Sequence, residues 1–136
     1  MTGNIKTYIV CISLVVCTSL AACATRDGAD FKVRAAVRQS YVAEKNYTDV
    51  VNAINDKMLL CRPFVFQHHE VIAFPDENKS EIQFLSEYYT PKLLVSVESA
   101  GDTSSRVDVF AVSDRPQCIA AIESVRRAAY GEPGCP

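Results

Sequence analysis

The feature that most limits what this chain can fold into lies at residues 8–23. Tyr8-Ile-Val-Cys-Ile-Ser-Leu-Val-Val-Cys-Thr-Ser-Leu20 is a charge-free, largely apolar run that ends at Ala21-Ala22-Cys23. A helix that crosses ~30 Å of hydrocarbon needs ~20 residues. This run is too short for a stable span, and no later stretch approaches that length. Met1 to Thr7 is polar, with Lys6 as its one positive side chain. Ala21 and Ala22 are small enough to enter a signal peptidase pocket. A polar start, an apolar middle and a small-residue end are the three parts of a secretory signal. Of 136 residues, removal of the first 22 leaves 114. That is one domain's worth, with room for a modest core.

Leu20-Ala21-Ala22-Cys23 looks like a lipobox, the signal at which bacterial lipoprotein processing makes the cysteine the first mature residue and acylates it. On this reading the lipid attachment is Cys23. One acyl chain binds a bilayer only marginally, whereas two or more hold stably. Residues 1–22 are then the lipoprotein signal peptide, residues 23–45 the lipidated N-terminus and tether, and residues 46–136 the globular domain. In known lipoprotein sorting of enteric-type bacteria an Asp at the second mature position often retains the protein in the inner membrane; with Ala24 there, the resemblance implies the outer membrane, with the domain facing the periplasm. The alternative is an ordinary secretory cut near Ala22 that leaves Cys23 as a plain cysteine.

After Cys23 the charge is mild. Residues 23–136 carry 13 Lys and Arg against 16 Asp and Glu. A nucleic-acid binder usually shows a basic face, and anionic lipid attracts clustered basic residues. Neither pattern is present, so the expected contact with the membrane runs through acyl chains alone.

Cys11 and Cys17 leave with the signal. Cys61, Cys118 and Cys135 remain in an oxidising compartment, where one bridge and one spare thiol are expected. Loop entropy does not separate the pairings. Position favours Cys61 with Cys135, because Cys135 lies in the tail Gly131-Glu-Pro-Gly-Cys-Pro136, which a bridge would pin. Cys118 falls near the start of an amphipathic helix, where a thiol packs as a small hydrophobe. Cys61 with Cys118 is the alternative. No Cys-x-x-Cys spacing suggests a redox motif or a zinc ribbon.

Along the domain, Phe31, Val33, Ala35 and Val37 alternate, which fits a strand, a helix start or an extended tether. Tyr47, Val50, Val51, Ile54, Met58 and Cys61 recur at helical spacing. Asn46 can cap that helix, and Pro63 ends it. Phe64–Phe74 and Glu81–Leu85 read as β runs around the turn Pro75-Asp-Glu-Asn78. Lys92–Ser99 and Arg106–Val112 alternate around Ala100-Gly-Asp-Thr-Ser104, a clear hairpin. Leu93, Val95 and Val97 face inward on the first strand, and Val107, Val109 and Ala111 on the second. Asp114 and Pro116 open a second helix with the apolar stripe Cys118, Ile119, Ile122, Val125 and Ala129, and Gly131 closes it. The expected fold is α+β and two-layered: a three- to four-stranded antiparallel sheet covered by two amphipathic helices, in the order α-β-β-β-α.

The sequence resembles small lipoproteins of proteobacteria that share a lipobox, a helix ending in a cysteine, a β meander, a second helix and a cysteine close to the C-terminus. The matching pieces are Leu20–Cys23, Tyr47–Cys61, Lys92–Val112, and Ser124-Val-Arg-Arg-Ala-Ala-Tyr-Gly131 followed by Cys135. Cys118 departs from the pattern. The resemblance implies a fold and a location and no activity.

His68, His69 and Glu70 form the one tight cluster of metal-ligating types. On a strand, His68 and Glu70 share a face and His69 opposes them. Two ligands on one face leave a zinc site incomplete. No serine sits in Gly-x-Ser-x-Gly, and the five glycines form no phosphate loop. Asp76-Glu77 and Glu81 read as solvated carboxylates in or beside a turn. Phe84, Tyr88, Tyr89 and Phe110 are candidates for an aromatic patch, with the core as the plainer place for them. The expectation is a lipid-anchored envelope protein with a binding or structural role and no cofactor, metal, nucleic acid or small-molecule substrate. Its partners would be the membrane, through the acyl chains, and another envelope protein. The alternative is a small periplasmic enzyme or metal-binding protein that uses His68 or His69.

Overall fold

A computed structural model describes residues 28–61 and 66–136. The signal, the Leu20–Cys23 motif and Pro63 lie outside the described residues. The elements are α1 (Gly28–Arg34), β1 (Val37–Ala43), α2 (Tyr47–Cys61), β2 (His68–Phe74), a 3-10 turn (Pro75–Glu77), β3 (Lys79–Leu85), β4 (Pro91–Gly101), β5 (Ser104–Ala111) and α3 (Pro116–Tyr130).

The strands form one sheet in the order β1-β5-β4-β3-β2, with every neighbouring pair antiparallel. Alternation decides its faces. Ile82 and Phe84 of β3, Leu93, Val95 and Val97 of β4, and Val107, Val109 and Ala111 of β5 point to one side. There they meet Val50, Val51, Ile54 and Met58 of α2, and Cys118, Ala121, Ile122 and Val125 of α3. Each of these larger apolar side chains contributes roughly 1.5–3 kcal/mol by leaving water. α2 starts where Asn46 Oδ1 accepts a hydrogen bond from the Asp49 N–H at 3.0 Å, which satisfies one of the free donors of the first turn. α3 opens on Pro116 and closes at Gly131 with φ 73°. The Gly131 and Glu132 N–H groups return to the carbonyls of Ala128 and Arg127, which stops the helix.

The α+β class and the antiparallel sheet match the sequence expectation; the strand count and element order do not. Among the described residues there are five strands: an α-β unit comes first, and four strands rather than three then lie between α2 and α3. The strand of the leading unit is β1, drawn from the segment assigned to the tether. Its polar Arg38, Gln39 and Ser40 hide its period. It forms because the free edge of β5 offers partners from Val37↔Ala111 to Ala43↔Ser105. The two-layer expectation also needs correction. α1 lies against the sheet face opposite α2 and α3, so Leu94, on that outer face, is only 1% exposed.

Candidate functional site

β2 carries both histidines, and its pleat sends them to opposite faces. His68 is opposite Leu85 on the outer side, and its ring stacks on Tyr89, with centroids 4.1 Å apart and planes 9° from parallel. His69 is opposite Phe84 on the side of the helices. Glu70 shares the outer face with His68. Among the described residues, no group of three or more His, Cys, Asp or Glu is placed to hold a metal ion. Tyr89 adopts φ +55° in the turn from Ser86 to Thr90, where its N–H reaches the Ser86 carbonyl at 2.9 Å. Tyr88 and Tyr89 are 82% and 62% exposed, whereas Phe84 is in the core at 3%. Lys32 Nζ lies 5.8 Å from the centre of the Phe110 ring. The four aromatics therefore form no single patch.

Cys61 and Cys135 are at disulfide distance, with Cα atoms 5.5 Å apart, inside the usual span for a bridge. Cys61 ends α2. Beside it, Lys57 Nζ donates to the carbonyls of Glu132 at 2.8 Å and Gly134 at 3.1 Å. The tail thus has both a sulfur and a lysine to hold it. Cys118 is free and buried in the first turn of α3, its sulfur 3.5 Å from Ser113 Oγ. Cys23 is five positions before Gly28, outside the described residues.

Sequence reasoning missed Glu81. It is not a solvated carboxylate beside a turn but a β3 residue on the outer face, 5% exposed. Lys32 of α1 donates to it at 2.6 Å, and Lys79 Nζ is 3.2 Å away. Burial pushes its carboxyl upward, but the hydrogen bonds and charges of the two lysines outweigh that, and the net shift is downward. This cluster fastens α1 to the sheet. Gly28 fits there because a Cβ would come within 2.7 Å of Glu81 Oε2. Strand alternation sets Glu81 on the face away from Ile82, but nothing in the local pattern announces the covering helix. Beside α1 lies a cleft of about 380 Å³, bordered by Gly28, Phe31, Arg34, Pro91, Leu94 and Val112.

A second charged cluster sits on α3. Hydrogen bonds from Arg126 and Arg127 hold the Glu123 carboxyl at about 2. Arg126 also bonds both oxygens of Glu132, which ties the tail to the last helical turns. Both clusters are structural clamps built from oppositely charged partners. Compared with known proteins, the chain matches no family model and no curated protein.

Proposed function

We propose that this chain is a lipid-anchored cell-envelope protein, acylated at Cys23, held at the outer membrane and facing the periplasm. Its domain serves a binding or structural role rather than catalysis. The motif Leu20-Ala21-Ala22-Cys23, set behind an apolar run too short to span a bilayer, carries the reading. Three observations support it. Cys61 and Cys135 stand at bonding distance, an arrangement suited to an oxidising compartment. Among the described residues, no helix is long and apolar enough to cross a membrane. His68 and His69 point away from each other across β2, so they do not converge on one reacting atom.

The test is Cys23→Ser in the full chain, expressed with its signal. The wild-type protein is expected to partition into the detergent phase, with a mass equal to residues 23–136 plus acyl chains. The variant is expected to carry no acyl mass, whether or not its signal is still removed. Acyl mass on the variant, or an unacylated wild-type mass, would overturn the reading.

A further inference from the structure

We propose that β2 is a self-association edge, at which two copies of this chain pair antiparallel about Val71 to extend the sheet. Among the described residues β2 hydrogen-bonds only to β3, which leaves the backbone groups on its other side without a strand partner there. Such an edge is a template for another strand unless charge, proline or a covering element blocks it. Residues His68–Phe74 contain no lysine, arginine or proline, and their only acidic residue is Glu70. Their apolar side chains are open on both faces: Val71, on the helix side, is 48% exposed and Ile72, on the outer side, 38%. The opposite edge differs. β1 carries the consecutive polar residues Arg38, Gln39 and Ser40.

The occupant follows from the pairing rules. A two-fold axis normal to the sheet keeps the helices of both copies on one side, so residues that share a face must oppose each other. Centred on Val71, the strand uses all seven of its residues. Val71 meets its own counterpart, Glu70 meets the partner's Ile72, His69 the partner's Ala73, and His68 the partner's Phe74. No like charges meet, and an aromatic ring closes each end. Centring on Glu70 would set two carboxylates against each other, which is destabilising. Centring on Ile72 would leave both histidines outside the ladder. A single strand pair is a small contact beside the ~1,200–2,000 Å² of a stable interface. The association is therefore reversible, and its test traps it covalently.

Single substitutions Val71→Cys, His69→Cys and Ala73→Cys are made in the full chain, purified from membranes and oxidised in air. The wild type gives the background from native thiols. Directly opposed Cβ atoms lie ~4.5–5.5 Å apart, close to disulfide reach. Two copies of residue 73 would be offset by four residues, ~13 Å along the strand. On a non-reducing gel, Val71→Cys is expected at twice the monomer mass. His69→Cys and Ala73→Cys are expected to stay monomeric alone and to cross-link when mixed. A monomeric Val71→Cys, or equal cross-linking of all three alone, would overturn the proposal. Val71→Lys changes an exposed side chain, so its melting temperature should match the wild type. The wild type is expected to gain mass with concentration in sedimentation and Val71→Lys to remove that gain; a wild type that shows no gain, or a variant that keeps it, would also overturn the proposal.

Discussion

Glu81 is a nearly buried carboxylate between two ammonium groups, and its chemistry makes stability depend on pH. Removing one partner of a fully buried pair costs about 3–5 kcal/mol. Here the Lys32 and Lys79 side chains keep 27% and 19% exposure, so solvent screens part of that. Glu81→Gln should therefore cost about 1–2 kcal/mol at pH 7, in the range of a charge-assisted hydrogen bond. The sign follows from the lowered carboxyl. Its contribution is complete above the ordinary carboxylate value of 4.5 and is lost as pH falls through the lower folded value. Thermal melts of both proteins at pH 7 and pH 3 should show the gap narrowing on acidification, and a constant gap would refute the charged clamp. In the sequence, Glu81 beside Asp76 and Glu77 looks solvated, because the lysine that buries it belongs to an element 49 residues upstream. His68 and His69 were legible because pleat geometry alone puts them on opposite faces.

At the scale of elements, the C-terminal tail beyond Gly131 has no helix or strand of its own and depends on its fastenings to α2 and α3. Cys61 and Cys135 are separated by 74 residues. Closing such a loop is worth ~4.5 kcal/mol by chain entropy alone, while measured bridges more often give 2–4. Cys135→Ser should therefore destabilise the domain by about 2–4 kcal/mol, read from urea melts. Reduction of the wild type should lower it to the same level, and Cys118 should contribute nothing to that difference. A wild type insensitive to reductant would deny the bridge. α2, α3 and the β4–β5 hairpin were legible because each carries local punctuation. Asn46 caps α2, Pro116 and Gly131 bracket α3, and a Gly-Asp-Thr turn joins the two strands. α1 and β1 lack such marks. Each is seven residues long, and each is stabilised by residues far along the chain. Glu81 holds α1, and the edge of β5 holds β1. Local period cannot disclose a partner 49 residues away, as for Lys32 of α1, or 68 away, as for Ser40 of β1.

At the scale of the whole molecule, the sheet has two unlike faces, and the chain enters on one of them. α2 and α3 cover the inner face. α1 crosses the outer face, with Gly28 against Glu81 and Leu94. If acylation falls on Cys23, as proposed, five residue steps separate the lipid from Gly28. A fully extended chain covers at most ~3.3–3.6 Å per residue, so Gly28, on the outer face, is held within ~18 Å of the anchored cysteine. With that face nearer the membrane, the helix pair is expected on the side away from it. The orientation is measurable with environment-sensitive labels on exposed positions of each layer. Val33 of α1 is 75% exposed, and Asn52 lies on the exposed side of α2. In vesicles that contain head-group-quenching lipid, a label on Val33→Cys should be quenched more strongly than one on Asn52→Cys. Residues 24–136 expressed without signal or lipid should show no difference between the two positions. Equal quenching in the acylated protein would mean that the short tether does not orient the domain. Stronger quenching at Asn52 would mean that the helix layer, not the α1 face, rests on the membrane.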